Sequence, residues 1–414
     1  MTNKLKLIGI PILVLILVVC CSCGKANQQQ TVKLSVWTSA QDQELMQKIV
    51  ASFEEEYAKE AKFDITICEE EEYSCADTVL LCPEAAADVF VFADDQLPEL
   101  VKAEALLPVS LDKEQLIEQN GGKDSAAISA ASYDGTLYAY PLTASNGYFL
   151  FYNADYFSEE DVKSLETILS VAEQNGKKFG MELTSGWYLY SFFKAAGMDV
   201  HINEDGLTNT CEWNNREIAD GKYRGVDVTE SLLKIAGREG FLNAGNDDFR
   251  AGIKDGSIIA GISGTWNATI VQSAFGDGYR ATKLPTFEVA GDKLQMHSVV
   301  GYKLVGVNAN SGEPEWSQKL AEWITNEENQ LLRFKERGEG PSNIYAAASE
   351  EVQKDEAISA LAAQSEFGHQ QMVANCYWTA SYQFGNVIVS GNIEHRDLQD
   401  LLDEMVDSAS KEIQ

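Results

Sequence analysis

The chain of 414 residues is poor in basic residues and in histidine. Its 32 Lys and Arg residues stand against 64 Asp and Glu residues, which gives a formal net charge of −32 at pH 7. A chain with this charge repels phosphate groups at long range, so we exclude nucleic acids and other polyanions as partners. The four histidines are scattered, and their spacing fits no metal site.

The sequence also lacks the motifs that carry common catalytic chemistry. It contains no G-x-S-x-G nucleophile elbow, no G-x-x-x-x-G-K phosphate loop and no H-E-x-x-H zinc helix. The segment GDGYRA (276–281) lacks the third glycine of a dinucleotide loop, and NEDGLTNT (203–210) lacks the alternating oxygen ligands of a calcium loop. We therefore predict that the protein is not an enzyme and that it uses no metal or cofactor.

The N-terminus carries the only long apolar run of the chain, from Leu7 to Val19. This run is shorter than the ~20 residues of a membrane-spanning helix. Lys4 and Lys6 precede it, and small residues follow it, which is typical of a secretory signal. The sequence therefore predicts export from the cytoplasm.

Three cysteines lie directly after the apolar run, in VVCCSCGK (18–25). The segment resembles the lipobox of bacterial lipoproteins, in which the first mature residue is a diacylated cysteine. Ser22 provides the small residue before Cys23, so we predict lipidation at Cys23 in preference to Cys20 or Cys21. This divides the N-terminus into a signal peptide (1–22) and a lipidated flexible tether (23–30), which would anchor the protein to the outer face of the membrane. A simple secreted protein with incidental cysteines is the alternative.

Apart from the lipidated Cys23, the predicted mature chain keeps five cysteines, an odd number that cannot be fully paired within one chain. The seven-residue steps between the first three are wider than the pairs that metal sites use. We expect buried or incidental free thiols at Cys68, Cys75, Cys82, Cys211 and Cys376.

Alternating strand and helix patterns predict an α/β fold. About 384 residues (414 minus 30) follow the tether, more than one hydrophobic core usually covers, so we expect two lobes. The order of strands and helices favours parallel pairing with crossover helices. The predicted strands are 32–37, 62–67, 87–93, 147–154, 256–263 and 302–309, and the predicted helices are 43–57, 161–173, 188–196, 313–337 and 394–413.

Local signals refine two of these helices. Ser39 or Asp42 is a candidate N-cap for the helix at 43–57. Pro314 stands near the first turn of the segment 313–337, which we expect to be one continuous helix.

Several aromatic residues stand among small polar residues instead of in apolar stripes. Trp266 follows a predicted strand in ISGTWNAT, Trp187 follows Ser-Gly in TSGWYLY, and Trp378 lies in NCYWTASY. Trp37 ends the first predicted strand. Open α/β sheets bind ligands beyond the carboxyl ends of their strands, where such rings can line a crevice. Flat rings cover the C–H faces of sugars, while carboxylates, amides and indole N–H groups satisfy sugar hydroxyls, so we interpret these rings as a ligand platform.

Four stretches together resemble the family 1 extracellular solute-binding proteins of ABC importers, above all the maltose/maltodextrin branch. They occur in the family's order, and the resemblance covers essentially everything past residue 30. These stretches are YDGTLYAYPLTASNGYFLFYNADYF (133–157), GISGTWNATI (261–270), LPTFEVAGDKLQMHSVVGYKLVGVN (284–308) and AEWITNEENQLLRFKERGEGPSN (321–343).

The resemblance implies a two-lobed periplasmic-binding-protein-like fold with a hinge and a ligand cleft between the lobes. The N-terminal lobe would comprise 31–142 and 294–341, and the C-terminal lobe 143–293 and 342–414. The lobes would close on the ligand by hinge rotation, and the closed form would be read by the permease. The expected protein is a monomer that captures maltodextrins and delivers them to the membrane permease subunits of an ABC importer.

The resemblance also implies the residues that bind the sugar. Asp95, in FADDQLPE, matches a position that accepts hydrogen bonds from sugar hydroxyls, and Asp94 is its rival. At Ser145 the sequence departs from the family, which often has a carboxylate just before Asn-Gly, so the contacts to one sugar unit must differ. The predicted site consists of Trp37, Asp95, Trp187, Tyr188, Trp266, Tyr377 and Trp378.

Two other functions stay open at the level of the sequence. The same kind of binding protein could carry another neutral oligosaccharide, such as a xylan, mannan or fructan fragment. A protein of a different class, a cell-surface polysaccharide hydrolase or adhesin, could also present rings to a carbohydrate.

Overall fold

Strands and helices alternate along the chain, as the α/β prediction requires. The computed structural model describes residues 31–216, 222–370 and 372–411. Up to residue 143 the elements are β1 (Thr31–Thr38), α1 (Gln43–Glu56), β2 (Lys62–Glu69), α2 (Cys75–Leu81), β3 (Val89–Ala93), α3 (Leu97–Lys102), α4 (Lys113–Gln119), α5 (Ala126–Ala130), β4 (Ser132–Tyr133), β5 (Thr136–Leu137) and β6 (Ala139–Thr143). From residue 148 to residue 299 they are β7 (Tyr148–Asn153), α6 (Leu165–Gln174), β8 (Lys178–Met181), α7 (Gly186–Ala195), β9 (Val200–Ile202), β10 (Asn209–Cys211), α8 (Gly225–Ala236), β11 (Phe241–Asn243), α9 (Asn246–Asp255), β12 (Ile258–Gly264), α10 (Ala268–Phe275), β13 (Tyr279–Thr282), β14 (Thr286–Val289), β15 (Asp292–Gln295) and β16 (Ser298–Val299). The remaining elements are β17 (Lys303–Val307), α11 (Pro314–Thr325), α12 (Glu327–Arg337), α13 (Ile344–Ala347), α14 (Glu350–Gln353), α15 (Glu356–Gln364), β18 (Gly368–His369), α16 (Cys376–Val389) and α17 (Leu398–Ala409).

The first of two five-stranded sheets has the order β2-β1-β3-β17-β6. β1 pairs in parallel with β2 and β3, while β17 runs antiparallel between β3 and β6. Val32, Leu34 and Val36 are buried on β1, which confirms the alternation read from the sequence. The helix α1 covers this sheet with the buried side chains of its apolar stripe, including Phe53. We call this unit the first lobe.

The second sheet has the order β11-β8-β12-β7-β13 and forms the second lobe. Its strand β7 is buried along its whole length and pairs antiparallel with β12 and β13. Phe149 and Phe151 point into one hydrophobic core, and Tyr148 and Leu150 point into the other. A strand buried on both faces explains why this part of the sequence is a continuous apolar run.

Three segments cross between the lobes, at 143–147, 299–303 and 338–343, and we call them the hinge segments. The Ala144 amide donates a 2.9 Å hydrogen bond to the Gly340 carbonyl group, and the Asn146 amide donates one of 3.2 Å to the Gly301 carbonyl group. Each crossing is therefore tied to another by backbone hydrogen bonds.

The predicted lobe boundaries stay predictions, and the packing adds one detail about them. Leu294, Met296 and Val299 pack with the core of the second lobe, and the chain pairs with the first sheet only from Lys303. The chain therefore passes from the second lobe to the first after position 294, between Val299 and Lys303.

Two local predictions are corrected. The segment 313–337 forms two helices instead of one, because the Asn326 side chain accepts a hydrogen bond from the Asn329 amide and caps a new helix, α12. Asp42 occupies the N-cap position of α1, but its side chain makes no cap hydrogen bond and instead binds Arg333 and Arg337.

The predicted signal peptide, Cys23 and the tether lie outside the described residues. Within the described ranges, no helix combines the length and the apolar character needed to cross a membrane. The five cysteines among the described residues are free; Cys75, Cys211 and Cys376 are buried, and Cys68 and Cys82 are exposed.

Candidate functional site

The first turn of α7 presents two of the predicted aromatic residues. Trp187 is half-buried, whereas Tyr188 is 7% exposed. The Tyr148 ring packs against both, with centroid distances of 5.9 Å to Trp187 and 4.9 Å to Tyr188. Its hydroxyl donates a 2.8 Å hydrogen bond to the Trp187 carbonyl group. Tyr148 therefore fixes the start of α7 on the sheet, and Trp187 keeps an accessible face.

The start of α16 lies against α7 and carries the next two predicted residues. The Tyr377 side chain is fully buried, and its hydroxyl donates a 2.7 Å hydrogen bond to the Gly186 carbonyl group. This corrects its predicted role: the ring supports the start of α7 and does not line the cleft. Trp378 is half-buried, with its ring centroid 5.0 Å from that of Tyr377.

Trp266 follows β12, at the same edge of the second sheet. Its indole nitrogen donates a 3.1 Å hydrogen bond to Asn246 Oδ1, which also accepts one of 3.2 Å from the Asn267 side chain. Asn267 Oδ1 in turn accepts a 2.7 Å hydrogen bond from Arg250 Nε. These bonds fix the orientation of the half-buried Trp266 ring.

The first lobe contributes Trp37 at the end of β1 and Asp95 just after β3. Trp37 packs on the first core and is half-buried. Burial raises the pKa of Asp95 to about 6. Burial and the charge of Asp95 raise the pKa of Asp94 to about 7. Asp94 is the more buried of the two, and the Gln370 side chain of the second lobe donates a 3.4 Å hydrogen bond to it. Asp95 stays the predicted hydroxyl acceptor, and Asp94 its rival.

Polar contacts cross the gap between the lobes beside Trp378. The Asn375 side chain donates hydrogen bonds to Asp77 Oδ1 at 3.0 Å and to Glu99 Oε2 at 3.3 Å. Burial and the charges of Asp77 and Asp95 raise the pKa of Glu99 to about 7. The start of α16 therefore faces the acidic side chains that surround Asp95.

Ser145, the departure from the family pattern, is 3% exposed in the first hinge segment. Its hydroxyl oxygen accepts hydrogen bonds from the Gly340 amide at 2.8 Å and from the Thr265 hydroxyl at 3.1 Å. The side chain is thus engaged by the hinge.

Two further polar side chains, Tyr73 and Glu182, were not predicted from the sequence. Tyr73 lies in the loop after β2 and is 76% exposed, and Glu182 follows β8 and is half-buried. Position directly after a strand was the available signal for Glu182, because the same reasoning selected Trp266 and Asp95.

A cavity of about 310 Å³ separates the lobes beside the Asp94–Gln370 contact. None of the seven predicted residues lines it. Its walls include Pro98, Tyr133, Asn203 and Met372. Among the residues that the structure describes, no group of three or more His, Cys, Asp or Glu side chains could hold a metal ion.

Two α/β lobes joined by three crossing segments, with polar contacts across the gap between them, define a two-lobed binding-protein fold. The family model of bacterial extracellular solute-binding proteins matches residues 48–360, and the chain belongs to this family. It is a binding protein and not an enzyme.

Relatives with known roles agree with this assignment. The galactooligosaccharide-binding protein of Bacillus subtilis (strain 168) is 26% identical, over 92% of this chain and 89% of that protein. The maltodextrin-binding protein MdxE of the same organism is 23% identical, over 78% of this chain and 77% of that protein. A solved structure with acarbose matches with a TM-score of 0.80 and 28% identity, and covers 92% of this chain and 99% of that one. The chain is thus similar along most of its length to oligosaccharide-binding proteins.

Proposed function

We propose that this protein is a lipid-anchored extracellular receptor that captures maltodextrins and delivers them to the permease of an ABC importer. The observation that carries the proposal is the set of three half-buried tryptophans, Trp187, Trp266 and Trp378, on the second lobe. The likeness to a maltodextrin-binding relative and to a structure with acarbose supports α-linked glucose units.

In this proposal the tryptophans stack on the C–H faces of successive sugar units. Trp37 adds a ring from the first lobe, and Asp95 accepts hydrogen bonds from sugar hydroxyls. Tyr188 and Tyr377 hold Trp187 and Trp378 in place, because they pack behind them in the core. Closure of the lobes about the hinge segments would bring both sets of residues onto the sugar.

Galacto-oligosaccharides are a second candidate. The galactooligosaccharide-binding relative is aligned over more of this chain than the maltodextrin-binding one. The engagement of Ser145 by the hinge also removes a contact that the maltodextrin branch often makes with one glucose unit.

A calorimetric panel tests the substrate. Purified residues 24–414 are titrated with maltotriose, maltotetraose, β-1,4-galactotriose and fragments of xylan, mannan and fructan. We expect micromolar binding of maltotriose, a free energy of about −8 kcal/mol. If only galactotriose binds, galacto-oligosaccharides replace maltodextrins as the leading candidate. If no sugar of the panel binds, the proposed function is overturned.

Lipid anchoring is tested on the full chain in a bacterial host. Metabolic labelling with an alkyne fatty acid should mark the wild type and the Cys20→Ala control, and should be lost in Cys23→Ala. Retained labelling of Cys23→Ala would move the anchor to another cysteine, and an unlabelled wild type would contradict the anchor.

A further inference from the structure

Glu182 lies beside the residues that orient the Trp266 ring. It follows β8, which runs parallel to β12, so Glu182 and Trp266 leave the sheet at the same edge. A Cβ atom placed on Gly245 would lie only 3.6 Å from Glu182 Oε1. Gly245 directly precedes Asn246, the hydrogen-bond partner of the Trp266 indole. The carboxylate is therefore next to the aromatic platform.

The Glu182 carboxylate has unused hydrogen-bonding capacity. No residue within the described ranges donates a hydrogen bond to its side-chain oxygens or forms an ion pair with it. Burial alone raises its pKa, because no nearby cation offsets the loss of solvent. A half-buried acceptor without a partner is stabilised by any ligand that donates hydrogen bonds to it.

The position of Glu182 also relates it to the other lobe. Burial and the charges of the nearby Glu71 and Glu70 raise the pKa of the Tyr73 hydroxyl in the first lobe. The charge of Glu182 raises it further. Burial and, after it, the same charge raise the pKa of Tyr188, one of the predicted site residues. Glu182 therefore lies near a side chain of each lobe, Tyr73 in the first and Tyr188 in the second.

The first hinge segment supplies no carboxylate, since its Ser145 is uncharged and is engaged by Gly340 and Thr265. We infer that Glu182 is a specificity-determining residue, the carboxylate on the second lobe that accepts hydrogen bonds from hydroxyl groups of the bound oligosaccharide. The inference rests on the proposed function. It assigns a hydroxyl-rich neutral sugar to this position, because a carboxylate there disfavours an anionic ligand.

The test compares maltotriose affinities of the wild type, Glu182→Ala and Glu182→Gln by calorimetry, with Glu230→Gln as control. Glu230 is an exposed glutamate on α8 of the same lobe, and its replacement changes the net charge equally. We expect Glu182→Ala to weaken binding tenfold or more. Glu182→Gln keeps an acceptor oxygen but loses the charge, so its affinity for maltotriose should be about threefold to tenfold lower. The affinity of Glu230→Gln should stay within twofold of that of the wild type.

A set of monodeoxy maltotrioses separates direct contact from a structural effect. One of them should bind the wild type at least tenfold more weakly than maltotriose, but should show no further loss in Glu182→Ala. The inference would be overturned if every analogue lost the same affinity in the wild type and in Glu182→Ala, or if Glu182→Ala bound maltotriose as tightly as the wild type. The proposed function would stay intact in both cases. If the wild type binds neither maltotriose nor β-1,4-galactotriose, the proposed function fails and the inference falls with it.

Discussion

The Ser145 hydroxyl oxygen accepts a 2.8 Å hydrogen bond from the backbone amide of Gly340 and so joins two of the three hinge segments. Both residues are buried, and a Cβ on Gly340 would lie 3.1 Å from the Ser145 Cβ, so the two segments approach closely. The Ser145 side chain is thus part of the hinge. Any substitution at this position acts first on the relationship between the lobes.

Replacement of Ser145 by Ala should destabilise the protein. The Gly340 amide would lose its acceptor inside the protein, which costs about 1–3 kcal/mol for a buried donor. Calorimetric unfolding should therefore show a melting temperature lower by a few degrees. The exposed Ser390→Ala, which removes only a local hydrogen bond to the Val387 carbonyl group, is the control. An unchanged melting temperature in Ser145→Ala would show that the hydroxyl group is dispensable to the hinge.

Replacement of Trp266 by Ala should weaken maltotriose binding tenfold or more, since the indole is oriented by Asn246 before any sugar binds. Loss of a stacking ring removes both apolar contact and preorganisation. Trp316→Phe is the matched control, because Trp316 packs against Phe53 and Phe63 on the first lobe. Titration calorimetry checks both variants, and equal affinities for wild type and Trp266→Ala would remove this ring from the platform.

The sequence predicted the strands of both sheets best where a single physical rule decides the outcome. Val32, Leu34 and Val36 alternate on β1 because one face meets the core, and β7 is uniformly apolar because both faces do. The break at Asn326 was missed because the apolar period of α11 continues into α12, and only the cap of Asn326 separates the two helices. A local hydrogen bond thus outweighed a periodic pattern.

The candidate site was harder to predict than the fold. Strand ends directed attention to Trp266 and Asp95, but Tyr377 shares the same local sequence character and is buried, because its neighbour Trp378 takes the accessible position. The engagement of Ser145 depends on Thr265 and Gly340, which are 120 and 195 positions away in sequence. Contacts of that range depend on how the lobes assemble, and one sequence does not contain them in a local pattern.

Acidification should destabilise the second lobe through two stacked histidines. His297 Nδ1 lies 2.7 Å from His369 Nε2. Burial, the charge of His369 and the charge of Lys194 lower the pKa of His297 to about 4. Since its pKa in the unfolded chain is about 6.5, the stability that the neutral ring contributes is complete above pH 6.5 and is lost as the pH falls toward 4.

Urea unfolding at pH 7 and pH 5 tests this dependence. Other ionisable groups also change their charge between these pH values, so the useful quantity is the difference in free energy of unfolding between the wild type and His297→Gln. We expect the wild type to lose more free energy of unfolding between these pH values than His297→Gln. The exposed His201→Gln should behave as the wild type. Parallel losses in the wild type and His297→Gln would contradict the assignment.

The last prediction concerns buried charges that join the two ends of the first lobe. Arg333 is 1% exposed and binds Asp42 and Glu339, and Lys303 binds Glu339 at 2.8 Å and Glu72 at 3.1 Å. Burial alone would raise the pKa of Asp42, but the charges of Arg333, Lys303 and Arg337 hold it well below its usual range. The Asp42 carboxylate therefore adds stability above its unfolded pKa of about 3.9 and loses it as the pH falls below that value.

Arg333→Met removes one cation from this group and leaves buried carboxylates short of positive charge. We expect a loss of about 3–5 kcal/mol in the free energy of unfolding at pH 7, and a smaller difference from the wild type below pH 4, where protonation of the carboxylates relieves the imbalance. Lys163→Met, which breaks the exposed pair with Glu160, should leave the unfolding curve unchanged. Denaturant unfolding across pH 3–7 measures all three proteins. A constant difference between wild type and Arg333→Met over that range would mean that packing, and not charge, accounts for the loss.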